Sequence, residues 1–242
     1  MKNTSHSFIK LIPVFLILFT SFSSGGSSAP TLGGSWHWQK GSQEAVISFV
    51  DDYCVFTLFD KQNKKFEYTW GGPYRLVNNN IVVDVQFNSK QKELVGTSFS
   101  FAMNWHMDNL LAPFTGEEQE FKQIDNGKSP LAGVWRITGR KQGDQISEMQ
   151  LGPRRTLKIL TGTRFQWAAI NIDTKEFFGT GGGRYSFENG KYTEFIEFFS
   201  RDSSRVGASL GFDGKIENGA WHHSGLSSRG EPIYEIWKHI NQ

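Results

Sequence analysis

Gly71–Phe101 reads GGPYRLVNNNIVVDVQFNSKQKELVGTSFSF, and Gly182–Phe212 reads GGRYSFENGKYTEFIEFFSRDSSRVGASLGF. The two stretches lie 111 positions apart and agree at ten of 31 positions. The matches are Gly71/Gly182, Gly72/Gly183, Tyr74/Tyr185, Asn78/Asn189, Phe87/Phe198, Ser89/Ser200, Val95/Val206, Gly96/Gly207, Ser98/Ser209 and Phe101/Phe212. About two matches would arise by chance, at roughly one in fifteen from ordinary residue usage. A repeat of this length marks two copies of one supersecondary plan.

Outward from the repeat, the chain reads as strand, turn, strand. Val46–Val50, Tyr53–Phe59, Phe66–Trp70, Ile81–Phe87 and Thr97–Phe101 form one series. Trp135–Ile137, Thr156–Leu160, Arg164–Ile170, Glu176–Gly179, Lys191–Ser200, Ala208–Ile216 and Tyr234–Ile240 form the other. Asn-rich and Asn-Gly turns at 77–80, 188–190 and 217–219 separate the runs at hairpin spacing. No window carries a long 3.6-residue period. Many short strands per unit predict closed or nearly closed antiparallel barrels, which leave no exposed edges.

The 242 residues suit two small domains better than one, given the repeat. Residues 1–28 read as a cleaved signal peptide and flexible leader, 29–126 as a first barrel and 127–242 as a second. Lys2 and Lys10 flank the approach to an apolar run, Leu11–Phe19, too short to span a bilayer, and a Ser/Gly tract follows. That pattern predicts export to the bacterial envelope or beyond, with no integral membrane segment in the mature form. Cys54 is the only cysteine, so no intrachain disulfide forms. With 26 basic and 24 acidic residues, the net charge of +2 gives no reason to expect nucleic acid or anionic lipid as a partner.

Gly34-Ser-Trp36 opens the first unit and Gly133-Val-Trp135 the second, with basic Lys122 and Lys238 in the closing strands. This pattern resembles the lipocalin-like (calycin) barrels, and the second unit resembles the lipocalin-like domains of secreted bacterial proteins. The stretches Gly181–Tyr185, Tyr192–Glu197, Trp221–Gly225 and Glu235–Lys238 carry that likeness. The resemblance implies an all-β fold of two tandem barrels, with each Trp buried at a closed end beneath the basic side chain. No catalytic motif rises above background, and the leading reading is a secreted non-catalytic binding protein.

Alternation assigns faces. Val83, Val85 and Phe87 alternate with Asp84, Gln86 and Asn88, so the apolar set points inward. The aligned Glu194, Ile196 and Phe198 then face in, and Phe195, Glu197 and Phe199 face out. The same parity turns Tyr185, Phe187, Leu210 and Phe212 inward. It puts Phe165 and Trp167 inside and Arg164 and Gln166 outside. The expected ligand site is therefore in the second barrel, lined by Phe165, Trp167, Tyr185, Glu194 and Phe198 and closed by Trp221 and His223. Its ligand is a small apolar or amphipathic molecule anchored by Glu194. The competing expectation is a merely filled barrel, with Glu194 satisfied by Tyr or Trp donors. Outward Phe195 and Phe199 are expected to meet the other domain or a protein partner.

No cofactor is implied. His222 and His223 are adjacent and point to opposite faces, so they do not share a metal. Gly179-Thr-Gly-Gly-Gly-Arg184 lacks the Lys-Ser/Thr and the helix of a phosphate loop, and reads as a turn. Two further readings stand beside the carrier. One is a carbohydrate- or surface-binding module using exposed Trp70 and Trp105. The other is a barrel isomerase or hydrolase with Glu194 as base and His223 as acid.

Overall fold

In the computed structural model, which describes residues 31–227 and 229–240, the chain forms two antiparallel β-barrels in tandem. The expected signal peptide and leader lie outside the described residues. Among the described residues no helix is long and apolar enough to cross a membrane.

The first barrel comprises β1 (Gly34–Lys40), β2 (Gln43–Val50), β3 (Tyr53–Asp60), β4 (Lys65–Val77), β5 (Asn80–Asp84), β6 (Phe87–Asn88), β7 (Ser98–Ala102), β8 (Asn104–His106), β9 (Asn109–Ala112) and β10 (Gln119–Asp125). The second comprises β11 (Gly133–Gln142), β12 (Gln145–Glu148), β13 (Arg154–Leu160), β14 (Arg164–Asn171), β15 (Glu176–Glu188), β16 (Lys191–Phe199), β17 (Ser209–Glu217), β18 (Ala220–Leu226) and β19 (Pro232–His239). In each unit the strand that opens with Gly-x-Trp pairs with the last strand: Trp36 with Gln123, Trp135 with His239. The second barrel closes fully through the β11–β19 ladder. Among the described residues, the first ends in two unpaired edges, β7 and β8, joined by the chain at Met103.

That difference has a local cause. In the second barrel β17 and β18 zip from Glu217/Ala220 up to Phe212/Gly225. The equivalent hairpin in the first barrel stops after Asn104/Leu111. Two residues on stands Pro113, which has no N–H to donate and cannot extend the ladder. The wall splits there.

Trp36 and Trp135 are both buried, and their indole N–H groups donate to the carbonyls of Leu32 (2.8 Å) and Leu131 (2.9 Å). The basic residues do not cover them. Lys122 pairs in register with His37, and Lys238 with Arg136, one step along from each Trp, so both lysines point to the opposite face and are exposed. Trp105 covers Trp36 instead, at 5.5 Å between centroids, and His239 lies 3.8 Å from Trp135.

Gly179–Arg184 is not a turn but the middle of β15. Two glycines of this run are required by close approach. A Cβ on Gly182 would sit 2.4 Å from the Phe198 ring, and one on Gly183 would sit 2.0 Å from the Phe195 carbonyl. The ladder bulges here, with Gly182 opposite Phe198 and Gly183 opposite Ile196, leaving Glu197 extra. The bulge reverses parity beyond it. Phe198 therefore faces out and Phe199 faces in, the reverse of the sequence expectation. The first copy does the same: Phe87 lies opposite Gly71 and packs outside its barrel, while Val83 remains inside.

The outward phenylalanines hold the barrels together. Phe198 packs on Phe59 (5.0 Å) and Phe66 (6.4 Å), beside Val46. Phe87 packs on Phe177 (6.2 Å), beside Leu157 and Ile170. Shifted by 111, Val46, Phe59, Phe66 and Phe87 fall on Leu157, Ile170, Phe177 and Phe198. Each barrel thus inserts the same Phe into the same socket of the other, a pseudo-two-fold contact within one chain. Burying each ring contributes about 1.5–3 kcal/mol. Phe195 is 39 % exposed and takes no part in these sockets.

Polar groups complete this contact. Gln166 donates to Thr69 (2.9 Å) and Thr180 (3.0 Å) and accepts from Thr57 (2.7 Å). Glu197 takes Arg164 (2.6 Å), Lys61 (3.1 Å) and Arg184 (3.2 Å). Asp125, at the end of β10, accepts from Thr161, Gly162 and Thr163 of the β13–β14 turn. Arg164 and Gln166 are outside their barrel, as alternation required, but buried between the two.

Candidate functional site: an open barrel and a filled one

The second barrel gathers most of the residues singled out from sequence. Phe165, Tyr185 and Trp221 are buried in its core, and Trp167 packs against it, edge-on to Phe199 at 5.4 Å. Tyr185 uses its hydroxyl to donate to the Thr161 carbonyl at 2.6 Å. Glu194 and His223 are buried with them, whereas Phe198 belongs to the socket between the barrels.

What the sequence reading lacked was Lys158. It points inward from β13, is 5 % exposed, and its ammonium lies 2.8 Å from Glu194. Tyr192 donates to the same carboxylate oxygen at 3.0 Å. Burial, and then the Glu194 charge, raise the Tyr192 pKa well above its ordinary value, so it remains a donor. The Lys158 ammonium also sits over the rings of Tyr192 (5.0 Å), Trp221 (5.1 Å), Trp237 (5.4 Å) and Phe212 (6.0 Å). The anchor expected for a ligand is thus already engaged by the chain itself.

His223 does not meet Glu194. It approaches Glu235 at 3.6 Å, while Glu235 pairs with Arg140 at 2.6 Å. Burial, and then the Lys158 charge, lower the His223 pKa and keep its ring neutral. Burial pushes Glu235 up, but His223, Lys158 and Arg140 outweigh it and hold the carboxyl at about 2.

The first barrel is different inside. A cavity of about 1090 Å³ opens at its split wall, between Ser98–Phe101 on one side and Pro113–Gln119 on the other. Its floor is aromatic. Trp70 stacks on Phe101 (5.2 Å, 12°) and Phe56 (5.2 Å, 15°) and meets Phe99 edge-on at 5.9 Å. Trp38, Tyr68 and Phe114 continue the apolar wall. The rim is polar and exposed, with Lys40, Gln43, Lys90, Gln91 and Glu117. Lys90 lies 5.3 Å over the Tyr68 ring. Asn88, buried at the inner end, spends its carbonyl oxygen on the Lys90 and Gln91 amides. Trp70 is only 3 % exposed and Trp105 leans on Trp36, so neither is a free platform for a sugar.

The cleft thus combines an aromatic floor with a polar, charged mouth. The fold and this cleft define a tandem β-barrel with one open chamber and one filled one, consistent with a lipocalin-like fold. No family model matches the chain, and no curated protein matches it.

Proposed function

We propose that this chain is a binding protein of the lipocalin-like kind, holding a small apolar or amphipathic molecule in its first barrel. The single observation that carries the reading is the aromatic-floored cavity at the Pro113 split. The second barrel, where the sequence pointed, is the weaker host because Lys158 and four rings already occupy its interior. The export signal read over residues 1–20 sets the work outside the cytoplasm.

An acid–base reading finds less support, since Glu194 is engaged by Lys158 and His223 turns to Glu235. Native mass spectrometry of the protein purified from its own host, together with displacement of a fluorescent amphiphile such as anilinonaphthalene sulfonate, tests the carrier. The expected result is one bound molecule per chain, displaced in parallel with the probe and weakened by Phe99→Ala or Tyr68→Ala. Unchanged binding in both variants would place the ligand elsewhere and end this reading.

A further inference from the structure

The interior of the second barrel has a composition that filling space does not require. At the positions where it carries Lys158, Tyr192, Glu194, Trp221 and His223, the first barrel carries Ile47, Ile81, Val83, Leu110 and Ala112. Those five apolar residues form a fully buried core with no ion pair. The same strand plan is therefore stable with a hydrocarbon interior, and replacing buried ion pairs by apolar groups is generally neutral or favourable. The polar set calls for another account.

Its geometry supplies one. Four aromatic faces surround one ammonium at 5.0–6.0 Å, with a single carboxylate 2.8 Å away. Aromatic faces plus one carboxylate are the means by which proteins recognise alkylammonium cations, because ring quadrupoles attract a desolvated cation that the carboxylate neutralises. The ammonium here is held on the four-carbon stem of Lys158, which enters from β13, while Tyr192 and Glu194 come from β16 and Trp221 from β18. The cage itself thus owes nothing to the strand that fills it. A second observation sets this interior apart. Among the described residues, the buried side-chain nitrogen and oxygen atoms without a hydrogen-bond partner are Trp221 Nε1, His223 Nδ1 and His223 Nε2, all three in this barrel. His223 Nδ1 lies 3.6 Å from Glu235, so the polar atoms left over by the packing gather around the same cage.

We infer that the second barrel contains an alkylammonium-binding site which the chain fills with its own Lys158. The barrel is in this sense already liganded, and it does not compete with the first barrel for an apolar guest. Shortening the occupant should vacate the site without dismantling the cage.

In Lys158→Ala, n-butylammonium should restore the thermal midpoint lost in the variant, and 1-butanol, its neutral counterpart, should not. The ammonium is expected to act at about tenfold lower concentration, the equivalent of about 1.4 kcal/mol. The unaltered protein should show no such response. If Lys158→Ala does not fold alone, the yield of folded protein on refolding with and without the amine is the readout. Lys158→Ala/Glu194→Gln, which leaves no orphaned charge, should fold and show no preference for the cation. Equal action of butanol and butylammonium, equal stabilisation of the unaltered protein, or failure of the amine to recover Lys158→Ala by either readout overturns the inference.

Discussion

The two barrels share an opening Gly-x-Trp, a Gly-Gly bulge and a strand order, and they differ in what they enclose. The first is split, with a cleft beside an apolar core, and the second is zipped around a buried ion pair. Very few residues decide this. Pro113 and Phe114 stand where the second barrel has Ser224 and Gly225, and there the ladder runs on through Gly225. Ile47 and Val83 stand where it has Lys158 and Glu194. The scaffold therefore sets the walls, and a handful of positions set the contents.

The sharpest way to break this comparison is to exchange those contents. Lys158→Ile or Glu194→Val alone leaves one buried charge unpaired and should cost about 3–5 kcal/mol in urea unfolding. The double variant, which copies the first barrel, should recover most of that loss. Additive losses would show that the pair is not the unit we describe.

Acid should strike the second barrel through Glu235 and His223. The folded-state pKa of Glu235 lies at about 2 against an ordinary 4.5. Its contribution, up to about 3 kcal/mol, is present above the unfolded value and lost as pH falls towards 2. His223 is lowered below its ordinary 6.5, so the unfolded chain takes up a proton first, and stability begins to fall as pH drops through 6.5. Unfolding free energies at pH 7, 5.5 and 4 should decline in that order. Glu235→Gln should flatten the lower part of the slope and His223→Leu the upper part. A pH-independent stability would refute both assignments.

A smaller effect tests the shared bulge. Gly182→Ala places a methyl against the Phe198 ring and the Phe165 carbonyl, and Gly71→Ala does so against the Phe87 ring and the Cys54 carbonyl. Each should cost about 1–3 kcal/mol through overpacking. The second-barrel variant should suffer more, since its nearest approach is 2.4 Å against 2.8 Å. The smallest effect concerns the ligand. Phe99→Ala should weaken amphiphile binding about tenfold, roughly 1.4 kcal/mol, whereas Trp167→Ala in the other barrel should leave it unchanged. The reverse pattern would return the site to the second barrel.

The repeat was enough to read two β-barrels, and alternation correctly placed Val83, Tyr185, Glu194 and Ile196 inside. It failed at Phe198 because a one-residue bulge at Glu197 flips every later side chain, and nothing in alternating hydrophobicity announces it. The paired glycines were the available sign, since they mark where a ring and a bulged backbone press on β15. Lys158 was missed for a different reason. In Thr-Leu-Lys-Ile-Leu, the apolar Leu157 and Ile159 look like the core face, but they face the other barrel. Extending the 111-residue shift back to Ile47 would have turned Lys158 inward. The cavity was hidden because its cause is a missing hydrogen bond at Pro113, which matters only once the partner strand is known.

The exchanged phenylalanines have a consequence for how the molecule comes apart. Each barrel lends a ring to complete the other's surface, so removing one barrel exposes Val46, Phe59 and Phe66 or Leu157, Ile170 and Phe177 to water. Neither half has a finished outside of its own. Heating should therefore melt the chain in a single calorimetric transition rather than two, and a cut in the linker near Asn126 should leave the halves clasped, each serving as the other's missing skin.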